Sequence, residues 1–286
     1  MEDLAVKKDF TNIYTQKFPN AYLKEIKRMD YCMPNKTKPL YLSIAKQLHK
    51  KFSKKINNID IGISYGTNSA LMKYDLKMYD LDDLFLEHEP SIKQSRQFFE
   101  NLLNNDTVDF YEINISEPAL KFSEDTGLCN KGICVNLESG NLPIKKIPQT
   151  NMIIIIGCIA YIGYEAFSNL FELIKKQQYE LDSEILEQSI FALSVLWIFY
   201  MCKIEKIFDH YGYSLVKNDV KSIKQRRFSD SEEKQKTIFL LHDKGIDTKW
   251  LEDGGYFYAY FYIASPKRLE TDLILIHEKS KRHAEH

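Results

Sequence analysis

Apolar residues recur along this chain at two different periods, and the change of period divides it. From Phe10 to Lys55 the spacing is helical: Tyr22, Ile26 and Met29 share a face, Pro34 breaks the run, and Leu40 to Ala45 starts another amphipathic stretch. From Ile56 to Ile63 the pattern alternates among β-forming residues and meets Gly62, Ser64 and Gly66 at its end. Thr67-Asn68-Ser69 then opens a helix, with polar residues available to cap its first amides. The prediction is a strand, a small-residue turn and a helix.

The alternation continues downstream. Leu81 to Leu103 reads as helical, Val108 to Ile113 as a strand closing at Asn114, Ser116 with Pro118 as a helix start, and Gly132 to Leu137 as a short strand. Met152 to Ile156 is uninterrupted by polar residues, as expected of a parallel strand covered on both faces. Gly157 ends it and Tyr164 to Gln177 is helical. Val195 to Cys202 reads as a fifth strand, with a buried helix the alternative that period alone does not separate, and Lys203 to His210 as a helix. Gln225 to Phe228 and the alternating aromatics from Tyr256 to Tyr262 predict a closing β-pair. The aromatic strand should pack one face on the core, leaving outer tyrosines that a dimer partner could cover. Strands alternating with helices before such a pair describe a doubly wound α/β sheet, mostly parallel with an antiparallel edge.

Charge and composition narrow the partners. A net charge of −1 supplies no global field for nucleic acid or an anionic membrane, so neither is expected as a partner. The greasiest run, Ile190 to Cys202, is shorter than the ~20 residues of a membrane span. The acidic start carries no signal-peptide pattern, so a cytoplasmic protein is expected. Five cysteines without a Cys-x-x-Cys pair read as reduced thiols, and the histidines show no ligand spacing, so no metal is expected.

The first strand–turn–helix is the place for a ligand, because glycines let backbone approach it and a helix amino end favours an anion. Read from Gly62, a dinucleotide Gly-x-Gly-x-x-Gly fails at Ser64 and Thr67, and no Gly-Lys-Ser/Thr of a P-loop follows. Gly62-Ile63-Ser64-Tyr65-Gly66 does satisfy the Gly-x-Ser-x-Gly of a nucleophile elbow. Ser64 would then need a histidine such as His242, but the upstream residues offer no oxyanion loop.

Asp60-Ile61-Gly62-Ile63-Ser64-Tyr65-Gly66 resembles motif I of class I S-adenosylmethionine-dependent methyltransferases, and a bacterial branch whose turn reads Gly-Cys-Ser-Tyr-Gly in particular. The likeness continues at Asn114 to Leu120, Gly157 to Tyr164, Gln225 to Phe228 and Glu252 to Tyr256. It implies a Rossmann-like core over 56–266, an N-terminal helical cap over 1–55 and a tail over 267–286, all one methyltransferase-like domain. It also implies S-adenosylmethionine as cofactor, S-adenosylhomocysteine as product and a small-molecule acceptor. Gly62, Ser64, Tyr65 and Gly66 would wrap the methionine part, with Asp60 fixing the loop through its amides and Asn68 at the helix start. Asn114, followed by Ile115, stands where such enzymes place an acidic residue on the ribose. An amide lacks the charge assistance of a carboxylate, and Glu112, two residues earlier, is the alternative. Leu137 and Glu138 would flank the adenine, and Gly157 and Cys158 would line the cofactor beside the substrate. The segment from Asp60 to Asn114 is far longer than the about 20 residues of a compact unit, so a helical insert, Asp75 to Asn104, is expected to shape the substrate pocket. Tyr31, Tyr161, Tyr164, Arg226 and Arg227 are substrate candidates, with at most one of the adjacent arginines facing the site. Asn114 keeps a second reading open, a non-catalytic methyltransferase-like binding protein, and the serine hydrolase is the third.

Overall fold

The computed structural model describes residues 10–62, 64–140, 149–181, 189–199, 201–218 and 222–269. Three helices open it: α1 (Thr11–Tyr14), α2 (Asn20–Arg28) and α3 (Met33–Phe52). Pro34 lies in the first turn of α3, where its missing N–H would have no intrahelical acceptor anyway. It therefore starts a helix rather than breaking one, and Leu40 to Ala45 sits in mid-helix.

β1 (Ile56–Ile61) leads through the small-residue turn into α4 (Thr67–Tyr74). The insert follows as α5 (Met78–Asp82), a π-helical turn (Asp83–Glu87) and α6 (Ile92–Glu100). Then come β2 (Val108–Asn114), α7 (Glu117–Asp125), β3 (Lys131–Cys134) and β4 (Met152–Ile156). The second half contains α8 (Ile159–Ile162), α9 (Glu165–Leu181), β5 (Ile190–Leu196) and α10 (Met201–His210). It closes with β6 (Tyr213–Lys217), β7 (Ile223–Arg227), α11 (Ser231–Asp243) and β8 (Tyr256–Pro266).

These strands form one sheet in the order β3-β2-β1-β4-β5-β8-β6, with β7 on β8 as well. β3 through β5 are parallel, and β8 runs antiparallel to β5, β6 and β7. This is a doubly wound, Rossmann-like sheet, mostly parallel with an antiparallel edge. Its most apolar strands, β4 and β5, are buried at every position, as central parallel strands must be. Along β8, Phe257, Ala259 and Phe261 are buried while Tyr256, Tyr258 and Tyr260 are partly exposed, so the alternation does place one face on the core.

The fifth strand begins earlier than the sequence suggests. β5 spans Ile190–Leu196, the chain turns at Trp197 to Phe199, and Met201 already belongs to α10. A continuous apolar run gives no internal mark of where strand passes to helix. β6 and α11 were not legible, because β6 has mixed burial and α11 has a weak apolar face.

The insert packs into a second hydrophobic cluster around Leu81, Phe85, Phe99 and Phe122, shared with α2, α4 and α7. No helix among the described residues is long and apolar enough to cross a membrane. The tail beyond Leu269 lies outside the described residues.

Candidate functional site

The order β2-β1-β4 means that connections leave the sheet in opposite directions on either side of β1 and β4. Ligands in open α/β sheets bind at such a switch point, beyond the carboxyl ends of the strands. A cavity of about 360 Å³ opens there. Its floor comes from the ends of β1, β2 and β4, one side from the segment after β3, and its roof from α1, α2 and the residues around Tyr31.

Of the turn after β1, Gly62 and Ser64 reach the cavity. Gly62 has φ +72° and its N–H donates to the Ile113 carbonyl at 2.9 Å. A Cβ on it would stand 2.5 Å from Cys158 Cβ, so glycine is required where β1 and β4 converge. The other turn residues support it from behind. Asp60 is buried, and its Oδ2 accepts from Asn68 Nδ2 at 2.9 Å. It thus holds the turn through a side chain on α4, not through the loop amides. Burial pushes the Asp60 carboxyl well above the usual range, and Glu112, directly opposite on β2, adds to the shift. Gly66 caps α4 with no side-chain bond and packs toward Ser123 of α7. Tyr65, at φ +54°, turns away from the cavity, and its hydroxyl donates to the Ile13 and Gln16 carbonyls, both at 2.9 Å. Asp60, Tyr65, Gly66 and Asn68 are therefore scaffold beneath the cavity rather than its lining.

On the β2 side, Asn114, Ile115 and Ser116 line the cavity. Asn114 Oδ1 accepts from the Ser116 N–H at 3.0 Å, a local turn leading into the Ser116 cap of α7. Ile115 is 70% exposed, which is unusual for so large an apolar side chain. Glu112 cannot take the place of Asn114. It is fully buried, accepts from Ser69 Oγ at 2.8 Å, and its carboxyl is pushed up by burial. Strand alternation does give it the parity of Asn114, but Asn114 stands at the end of β2, whereas Glu112 is roofed by helices. After β3, Leu137 and Glu138 begin a short helical turn capped by Asn136, whose Oδ1 accepts from the Glu138 N–H at 2.9 Å. Both line the cavity, with Val135 beside them.

At the end of β4, Gly157 (φ +67°) and Cys158 complete the floor. A Cβ on Gly157 would lie 2.7 Å from Tyr31 Oη and 3.1 Å from Gln225 Nε2. Cys158 Sγ donates to the Ile61 carbonyl at 3.1 Å.

The substrate candidates separate. Tyr31 and Arg226 line the cavity, whereas Tyr164 and Arg227 do not. Arg226 is no anion clamp, because its guanidinium makes a bidentate pair with Glu233, at 2.9 and 2.7 Å, with both side chains buried. Arg227 is exposed and paired with Asp30 at 2.6 Å, the surface role that its neighbour's inward orientation requires. Tyr164 packs against the core, with Lys203 Nζ 4.9 Å above its ring. The Tyr161 side chain lies outside what the structure describes. No residue of the insert touches the cavity, because its apolar face is spent on the second cluster.

None of the protein-family models matches this chain, and none of the curated proteins matches it in sequence. Solved structures are similar to it at low identity. The plantazolicin methyltransferase BpumL, in complex with SAH, is 11% identical, with 92% of this chain and 95% of that one covered and a TM-score of 0.46. A precorrin-6y C5,15-methyltransferase from Geobacter metallireducens is 10% identical, covering 78% and 86%, with a TM-score of 0.39. A TehB-like SAM-dependent methyltransferase from Corynebacterium glutamicum is 9% identical, covering 79% and 88%, at 0.39.

Several cavity residues were missed in the sequence. Phe10, Ile13 and Tyr14 come from the N-terminal segment, and Tyr22, Ile26 and Met29 from and just after α2. Their helical spacing was visible, but not that the face covers this cavity instead of the sheet. Tyr14 matters most. Its hydroxyl lies 3.4 Å from Ser64 Oγ, and its carbonyl accepts from Ser116 Oγ. Ser64 therefore meets a phenol, not an imidazole. His242 is on α11, bonded to Thr248 Oγ1 at 3.0 Å, and is not a cavity residue. That leaves the nucleophile elbow without a histidine base among the described residues.

Proposed function

We propose that this protein binds S-adenosylmethionine in the switch-point cavity and transfers its methyl group to a small acceptor, as one methyltransferase-like domain. The observation that carries the reading is the convergence on one cavity of Gly62 and Ser64 after β1, Asn114 after β2, Leu137 and Glu138 after β3, and Gly157 after β4. These are adjacent strand ends at the switch point, and their chemistry is graded as the cofactor's is. Exposed Ile115 with Val135 and Leu137 gives an apolar slot for a planar base, and the Glu138 carboxylate can accept from its amino group. Asn114 would meet the ribose. Its Oδ1 accepts from the Ser116 N–H, which fixes the side chain at the end of β2. Gly62 and Ser64 would hold the methionine part.

When bound, the cofactor supplies a methyl already activated on a sulfonium, so the chain need only align an acceptor and exclude water. The roof of α1 and α2 over Gly157 serves that purpose. No side chain of the cavity has to act as a nucleophile. The test is calorimetric titration with S-adenosylmethionine and S-adenosylhomocysteine. Saturable micromolar binding, weakened at least tenfold by Leu137→Arg, supports the reading. Absence of binding to folded protein overturns it.

A further inference from the structure

The wall of the cavity toward the N-terminal cap is not used by the cofactor reading. Between Gly157 and the cap it is formed by Tyr14, Tyr22, Tyr31 and Gln225, with Arg226 behind them. Two observations define what it accepts. The first is its charge. Arg226 is the one cation among the described lining residues, and its bidentate bond to Glu233 is buried, with 5% and 3% of the two side chains exposed. Detaching such a guanidinium to receive a ligand anion would leave a carboxylate buried and uncompensated. The remaining charge on the lining is the Glu138 carboxylate, and the wall toward the cap carries three phenol rings, a group whose face attracts cations. The Tyr14 and Tyr22 ring centroids are only 5.4 Å apart, and burial pushes the Tyr14, Tyr22 and Tyr31 hydroxyls up, so these phenols stay neutral.

The second observation is an unspent acceptor. Gln225 is 2% exposed and borders the cavity, yet its Oε1 has no hydrogen-bond partner. A buried carboxamide oxygen without a donor is costly and rare. The same carboxamide touches the space above Gly157, with Nε2 3.1 Å from where a Cβ would stand and Tyr31 Oη 2.7 Å from it. A half-turn of the amide exchanges its two ends, so the oxygen can face a donor in the cavity.

We infer that this part of the cavity is the acceptor subsite and that it takes an amine, bound as the ammonium with its N–H groups received by Gln225 and its positive charge faced by the tyrosine rings; one proton leaves to solvent before the nitrogen lone pair takes the methyl and S-adenosylhomocysteine departs. Carboxylate and phosphate acceptors are excluded by the closed Arg226–Glu233 pair. The inference rests on the cofactor reading above and names the substrate class of the same site.

The experiment uses full-length protein saturated with S-adenosylhomocysteine. The probes are size-matched sets of phenylalkyl and cyclohexylalkyl amines, the corresponding alcohols and the corresponding carboxylates, with binding read by ligand-observed NMR. Amines are expected to bind and carboxylates not to. Gln225→Met should weaken the amines about tenfold, as expected for losing a hydrogen bond to a charged group. Gln225→Glu should tighten them, and both variants should hold S-adenosylhomocysteine within twofold of the parent. The opposite signs at one position separate recognition from damage to the fold. Carboxylates binding as well as amines, amines unaffected by either variant, or no amine binding at all would overturn the inference. Loss of S-adenosylhomocysteine binding by the parent protein would sink the cofactor reading instead, and that titration is done first.

Discussion

Asn114→Asp is the substitution that bears most directly on the site. Asn114 Oδ1 accepts the Ser116 N–H at 3.0 Å, and the aspartate can keep that bond with one oxygen while presenting the other to the ribose. A hydrogen bond to a charged group contributes about 1.5–3 kcal/mol, against about 0.5–1.5 kcal/mol for a neutral one. The net gain should be about 1 kcal/mol, or roughly fivefold in affinity. Two local terms modify it. The new charge sits at the amino end of α7, a favourable position worth about 0.3–1 kcal/mol to the fold. Glu138 lines the same cavity and opposes a second negative charge there. The expected outcome is unchanged or slightly raised thermal stability and about fivefold tighter S-adenosylhomocysteine binding by calorimetry. Equal or weaker binding by a folded variant would refute the placement of the ribose at Asn114.

Three further outcomes follow from the scaffold. Asp60 has its pKa raised by burial, with Glu112 opposite. Its contribution is thus fully present below the unfolded value of about 4 and is lost as pH rises through the folded value. Asp60→Asn should therefore flatten the decline of stability with rising pH, and urea unfolding at pH 5 and pH 8 that shows parallel losses in both proteins would contradict this. At Glu233, burial alone would raise the carboxyl, but the Arg226 hydrogen bonds and charge outweigh it and hold it below its usual range. That stability is present at neutral pH and lost on acidification, and Glu233→Gln should cost about 3–5 kcal/mol in urea unfolding at pH 7; a cost under 1 kcal/mol would show the pair to be dispensable. Tyr65→Phe removes two bonds to carbonyls near the surface, which water can partly replace, so about 1–2 kcal/mol should be lost in thermal unfolding.

The strand–turn–helix around Gly62 and the buried β4 were legible because each has a local signature: a period change, a glycine that must take positive φ, and an apolar run. What escaped were relations between distant segments. Asp60 and Glu112 each look like site carboxylates in one dimension. Only the β1–β2 register, which sets them opposite each other, shows that both are spent inside the fold. Arg226 looked available until α11, unforeseen, brought Glu233 against it. Tyr65 stands inside the motif, yet the positive φ it adopts sends its ring into the second core. A motif marks the place where backbone must turn, but which of its side chains face the ligand is decided by what packs behind.

That packing also ties the cap to the turn after β1. α1 is only four residues long, too short to be stable alone. It is held by bonds from Tyr65, behind the lining, to the Ile13 and Gln16 carbonyls and from Ser116, in the lining, to the Tyr14 carbonyl, with the Tyr14 hydroxyl near Ser64. A ligand under this roof would add apolar contact with Phe10, Ile13 and Tyr14, all of them cavity residues. Binding and cap closure should then be linked. At one hundred times Kd, a ligand that binds only the closed form stabilises it by about 2.7 kcal/mol. Amide hydrogen exchange in α1 should therefore slow by up to about a hundredfold when S-adenosylhomocysteine saturates the protein, while α10 amides, on an element that contributes nothing to the cavity lining, keep their rates. If protection appeared only at the ends of β1 and β4 and left α1 unchanged, the cap would not be part of the binding site, and the roles assigned to Tyr14 and Tyr22 in acceptor recognition would fall with it.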